Sequence, residues 1–170
     1  MQVPSRQHDS RTGLYTEAER RRRDSSPWTI VQGILAPVQF LVFLVSLALV
    51  LRTLATGEGA FAAHVSIIAK TFVLYTITVT GSLWEKDVFG KYLFAPAFFW
   101  EDAVSFVAIA LHTIYLVCLL THWLGDRALF ILALLAYATY VVNAAQFLLK
   151  LRAARLEHSA RTFDSAEAAS

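Results

Sequence analysis

Four long stretches of this chain carry almost no charge, and they leave it few ways to fold. Trp28 to Leu51 is 24 residues without a charge, Ala103 to Leu120 is 18 and Ala128 to Leu149 is 22, while Phe61 to Leu83 is 23 residues with a single charge, Lys70. A helix needs roughly 20 mainly apolar residues to cross the hydrocarbon core of a bilayer. Helices satisfy their backbone polar groups internally, as lipid demands. The expected fold is therefore all-α: an integral membrane bundle of four transmembrane helices. Composition agrees, with 56% hydrophobic and 16% charged residues, against about 25% charged in an ordinary soluble domain. A water-soluble enzyme, a disordered chain and a disulfide scaffold all fit poorly. The one cysteine, Cys118, allows no intrachain disulfide and no thiolate zinc site. It sits in an apolar run as a small packing residue.

The net charge of +2 does not point to nucleic acid, but its placement sets an orientation. Twelve Lys and Arg lie in the amino-terminal tail, between the second and third runs, and at the carboxy-terminal end, whereas only Arg52 and Arg127 lie on the other side. Positive charge collects on the cytoplasmic side, so both termini are expected there. Trp28, Trp84, Trp100 and Trp123 all fall at span ends, the headgroup level that tryptophan favours. Ser26-Pro27 reads as a helix start, Asp126 as the cap of the fourth helix, and Pro37 as a kink. The transmembrane domain is expected over 27–156, with spans at about 28–51, 61–83, 103–120 and 128–149. Between the second and third spans lies an aromatic cytoplasmic loop, 84–102, which should lie in the interface or fold back over the bundle. The polar ends, 1–26 and 157–170, read as disordered tails. Nothing in 1–26 resembles a cleaved signal.

Within the spans, polar residues recur at helical spacing. Glu101, Ser105, Ala108, His112 and Tyr115 share one face of the third helix, and Thr139, Asn143, Gln146 and Lys150 share one face of the fourth. His64, Thr71, Tyr75, Thr78, Ser82 and Glu85 form a stripe on the second, and Gln32, Gln39 and Ser46 recur every seven residues on the first. Polar groups facing lipid are costly, so the four stripes should point inward. For Ser46, Thr71, Thr78 and Thr139 the expected role is hydrogen bonding between helices. His112 and Lys70 fall near mid-membrane, where a lysine costs roughly 2.5–3.5 kcal/mol on insertion scales. That cost marks a functional group or a buried partner.

At the cytoplasmic level, Trp84-Glu85-Lys86-Asp87 ends one span and Trp100-Glu101-Asp102 opens the next. An apolar surrounding disfavours a carboxylate's charged form, and a carboxylic acid that keeps its proton near neutral pH can act as a general acid. Glu101 and Asp102 also suit the dipole of a helix start. There is no Gly-rich phosphate loop, no HExxH and no serine nucleophile elbow. No His and Cys arrangement provides a catalytic metal centre made of protein ligands alone.

The runs SPWTIVQGILAPVQFLVFLVSLALVLRTLATGEG, GSLWEKDVFGKYLFAPAFFWED and YATYVVNAAQFLLKLRAARL closely resemble the 3-vinyl bacteriochlorophyllide hydratase family of anoxygenic phototrophs. The likeness covers about Ser25 to Leu156. It implies that water adds across the ring-A vinyl group of a magnesium tetrapyrrole, giving the 3-(1-hydroxyethyl) pigment in bacteriochlorophyll synthesis. It implies no redox or organic cofactor, and residence in the bacterial inner, photosynthetic membrane. Such a reaction needs an acid, a base that orients water, and a flat apolar slot. Glu85, Glu101, Asp102, His112 and Tyr115 are the candidate catalytic groups. Glu85 or Glu101 would supply the proton, and His112 would be either the water-orienting base or the ligand of the substrate magnesium. Tyr115 and Asn143 would hold water, and Lys150, beside Gln146, would meet the pigment's propionate. Trp84 and Trp100 of the aromatic loop would cover the ring, and Lys70 is a further candidate for substrate binding. A four-helix bundle has little interior volume for a whole macrocycle, which favours a groove or a seam between protomers of a homo-oligomer. Other pigment-synthesis enzymes are possible partners. The rival readings are a non-catalytic pigment carrier or assembly factor, and a small transporter.

Overall fold

The computed structural model describes residues 14–167, so the expected tails fall outside it at residues 1–13 and 168–170. Five helices follow in order: α1 (Glu17–Ser25), α2 (Pro27–Thr56), α3 (Ala60–Phe89), α4 (Phe99–Leu120) and α5 (Asp126–Glu167). The described residues contain no strand. α2, α3, α4 and the Asp126–Ala153 part of α5 are each long and apolar enough to cross a membrane. The all-helical, four-span expectation holds.

Element limits differ from the expected spans for one reason: the end of an apolar run is where lipid ends, not where the helix ends. α3 continues through Trp84-Glu85-Lys86-Asp87 to Phe89, and α4 begins at Phe99. The expected 84–102 loop is thus only residues 90–98. Gly90, with φ 78, closes α3 in a left-handed conformation that glycine alone adopts without penalty. α5 likewise runs on to Glu167, into the segment expected to be a tail.

The segment before the first span is a second difference. α1 starts from a complete capping box, in which Thr16 Oγ1 accepts from Glu19 N and Glu19 Oε2 accepts from Thr16 N. Glu17 and Glu19 in its first turn and Arg22 and Arg23 in its last complement the helix dipole. Only Ser26 separates α1 from α2, where Pro27 takes the first turn. The Ser26 hydroxyl does not cap α2 but donates to Asp87 Oδ2 at 2.9 Å, tying the helix start to the end of α3.

α2 with α3, and α4 with α5, form two closely packed antiparallel hairpins, and α1 lies against α3. Phe43, Val50, Ile67, Tyr115, Leu129 and Tyr137 belong to the main core between the hairpins. A second cluster of Tyr15, Val88 and Phe98 closes the pole that carries Gly90. The polar stripes do face inward. Ser46 Oγ lies 2.5 Å from the Tyr137 hydroxyl and 2.8 Å from Ser66 Oγ, and Gln32 Nε2 donates to Thr80 Oγ1 at 2.7 Å. Thr71, Thr78 and Thr139 behave differently from the expected inter-helix role. Each hydroxyl donates to a carbonyl of its own helix three or four residues back, which satisfies it without a neighbour.

Candidate active site

Four ionisable side chains converge at the Gly90 pole. Glu85 comes from the last turns of α3, Glu101 and Asp102 from the first turn of α4, and Lys150 from α5. All three carboxyl residues are buried. The stripe spacing brings them there: each lies on the inward face of its own helix, at the same level.

The short 90–98 loop closes over this group. Phe94 has φ 57, a left-handed conformation that costs a residue with a Cβ. The turn it makes aims two successive backbone amides at two carboxyls. Phe94 N donates to Asp102 Oδ2 at 2.7 Å, and Ala95 N donates to Glu85 Oε2 at 3.1 Å. Consecutive N–H groups around a left-handed residue form an anion-binding nest. Glu85 and Asp102 also interact directly with each other. Two carboxyls at such range are chemically suited to share one proton, presenting an acid and its conjugate base at one point.

Glu101 and Lys150 are engaged differently. Lys150 Nζ lies 2.7 Å from Glu101 Oε2, donates to the Ala97 carbonyl, and sits 4.9 Å above the Phe98 ring. Lys150, expected to meet a substrate propionate, is therefore held within the chain, and Glu101 is occupied as its ion-pair partner.

Two aromatic layers flank the carboxyls. The buried one packs Trp84 against Phe98 at 5.5 Å and Phe98 against Phe147 at 5.8 Å, with Tyr15 stacked on Phe89. Trp84 Nε1 donates to Thr29 Oγ1 at 2.9 Å, so its ring is fixed inside this layer. The other layer is exposed: Phe94 stacks on Phe106 at 5.4 Å with the planes 9° apart, beside Phe99. Trp100 is 71% exposed and touches Phe99 edge-on, facing outward from the bundle.

His112, Lys70 and Tyr115 are not part of this cluster. His112 lies eleven residues beyond Glu101, about 16 Å along α4, and Tyr115 about 21 Å along it. His112 and Lys70 are fully buried at mid-bundle. His112 Nδ1 is 2.7 Å from the Ala108 carbonyl, which fixes the tautomer with Nδ1–H and leaves Nε2 as an acceptor. Lys70 Nζ lies 4.1 Å over the Tyr140 ring and 5.4 Å over that of Tyr137. Tyr115 points to the opposite pole, where its hydroxyl is 2.6 Å from His64 Nδ1 and His64 Nε2 is 3.2 Å from Asp126 Oδ1. Asp126, expected as a helix cap, thus pairs with His64 across the bundle. Asn143 Nδ2 donates to Ser105 Oγ at 2.6 Å, between the two levels.

Sequence spacing did not reveal Phe94, Ala95, Phe106, Tyr137 or Tyr140. A left-handed phenylalanine has no sequence signature, and a backbone amide has none at all. Among the described residues no three His, Cys, Asp or Glu side chains form a metal-binding group.

The family described as 2-vinyl bacteriochlorophyllide hydratase matches residues 15–153. The match takes in α1, beginning at the tyrosine that packs on Phe89. A 2-vinyl bacteriochlorophyllide hydratase of Rhodobacter capsulatus is 65% identical over 153 residues, covering 90% of this chain and 89% of that protein. One of Cereibacter sphaeroides is 65% identical over 147 residues, covering 86% and 91%. No solved structure matches the chain.

Proposed function

The chain belongs to the 2-vinyl bacteriochlorophyllide hydratase family, and from that premise we propose that the nest-bound carboxyl pair Glu85–Asp102 is its acid and base. The protein is a multi-pass membrane hydratase of bacteriochlorophyll synthesis, a hydro-lyase whose substrates are a vinyl pigment and water. Positions 2 and 3 name the same ring-A vinyl group under two numbering conventions. The membrane is the bacterial inner, photosynthetic membrane, with both termini cytoplasmic.

The observation that carries the assignment is the convergence of Phe94 N and Ala95 N on Asp102 and Glu85. The shared proton passes from the pair to the terminal vinyl carbon, whose π electrons form the new C–H bond. The cation left on the inner carbon is stabilised by conjugation with the macrocycle. Water forms the C–O bond there and loses a proton to the carboxylate just created. The pair ends as it began, so one dyad serves as both acid and base and no other co-reactant is needed. The exposed Phe94–Phe106 stack, next to Asp102, offers a flat apolar face on which the macrocycle rests with its vinyl edge toward the pair. His112, about 16 Å deeper than Glu101, does not reach that edge.

The test incubates membranes with and without the protein with vinyl pigment and weighs the products. The pigment should gain one water only where the protein is present. Glu85→Gln and Asp102→Asn should each lower turnover by roughly 10²–10⁴-fold while pigment still binds. Normal turnover in both variants, with loss in His112→Leu, would move the chemistry to mid-bundle. Tight binding without conversion by the unmodified protein would favour the carrier.

A further inference from the structure

The half of the bundle under the carboxyl pair contains more polar atoms than the protein satisfies. Gln146 Oε1, Asn143 Oδ1, Gln39 Oε1, Lys70 Nζ and His112 Nε2 are all shielded from the outside and have no hydrogen-bond partner among the described residues. They lie in order along the bundle. Lys150, Gln146, Asn143 and Tyr140 follow one face of α5 at steps of four, three and three residues, a rise of about 4.5–6 Å each. Lys70 Nζ then sits over Tyr140, and Tyr140 packs on Phe43, one turn from Gln39. The His112 ring lies 5.9 Å from that of Tyr137, over which Lys70 Nζ also sits at 5.4 Å.

The other half contrasts with this. There Tyr137 bonds Ser46, Ser46 bonds Ser66, Tyr115 bonds His64 and His64 meets Asp126, all directly. The polar column is therefore sealed at the Gly57 pole and unsatisfied toward the Gly90 pole. A buried amide oxygen or amine without a partner is costly, and internal water commonly supplies the missing bonds at sites with two to four polar neighbours.

We propose that this half of the bundle holds a blind file of internal water, running from the Glu101–Lys150 pair to Lys70 and His112, which feeds the hydration reaction. The supply role rests on the hydratase reading; the water file itself does not. A site covered by a flat pigment and an aromatic loop loses its access to bulk water, and the reaction consumes one water per turnover. The file keeps water in contact with the pair while the site is covered, and refills from the carboxyl end when the pigment leaves.

The experiment is radiolytic hydroxyl-radical footprinting of the full-length protein in membranes, in H₂¹⁸O. Side chains beside bound water should take up ¹⁸O even though lipid surrounds the bundle. Label is expected at Tyr140 and His112, and little at Tyr115, which lies in the sealed half. Asn143→Leu and Gln146→Leu should each abolish the label at Tyr140 and His112 and lower kcat about 10-fold, with pigment affinity unchanged. A folded protein with Tyr140 and His112 as unlabelled as Tyr115 overturns the proposal. So do labelled variants that turn over like the parent. Failure of the hydratase reading looks different: the label persists, but the pigment gains no water in the unmodified protein.

Discussion

Glu85 and Asp102 come from different helices, and the backbone of Phe94 is what joins them. Its ring and its backbone have separable roles, because the ring stacks on Phe106 while the amide binds Asp102. Phe94→Ala and Phe94→Gly remove the same ring, but only alanine retains the cost of φ 57. The glycine variant should therefore be more stable than the alanine variant by about 1–2 kcal/mol, read from unfolding midpoints. Both should bind pigment more weakly than the parent. Equal stability of the two would mean that the left-handed turn is not held in the membrane. The carboxyls were legible in the sequence because stripe periodicity carries them inward. Which of them pair was not, because pairing depends on where an irregular loop directs its amides. Spacing alone gave Glu85 and Glu101 equal standing, and the Lys150 contact separates them.

At the scale of elements, α1 shows how composition misleads. Its charge density reads as a solvated tail, yet Thr16-Glu17-Ala18-Glu19 is a capping box written in sequence. A local hydrogen-bonding signature outweighed a compositional average, and Tyr15, just before the helix, supplies the apolar contact that docks it. Burial pushes the Tyr15 phenol up from 10.0 to about 12, with the Arg23 guanidinium opposing the shift. A phenol that resists ionisation when docked stabilises the docked state fully below pH 10. That contribution is lost as the pH rises from 10 to about 12. Absorbance titration of tyrosinate, compared with Tyr15→Phe, should show one residue fewer ionising near pH 12, and α1 should dock independently of pH in the variant. Ionisation of Tyr15 at pH 10 would mean that α1 does not pack on α3. The same scale explains the short loop: charged residues at 85–87 end an apolar run but continue a helix.

Across the whole molecule, four spans return the chain to the side where it began. Reporters fused at either terminus should read one compartment, the cytoplasm by the distribution of Lys and Arg, and a reporter inserted at Gly57 to Gly59 should read the other. Opposite compartments for the two termini would overturn the four-span topology. The number of spans, their inward stripes and the family resemblance could all be read from the sequence alone. Each depends on local hydrophobicity or on residue identity at fixed spacing, and a bilayer permits few alternatives to a helix. Only the tertiary structure decided that the hairpins pair as α2 with α3 and α4 with α5, that Lys150 is taken by Glu101, and that Asp126 crosses to His64. It alone separated the pole with its carboxyl pair from the unsatisfied polar atoms beneath it. Those outcomes depend on which helix faces which and at what height, and the chain sets that through packing between residues far apart in sequence.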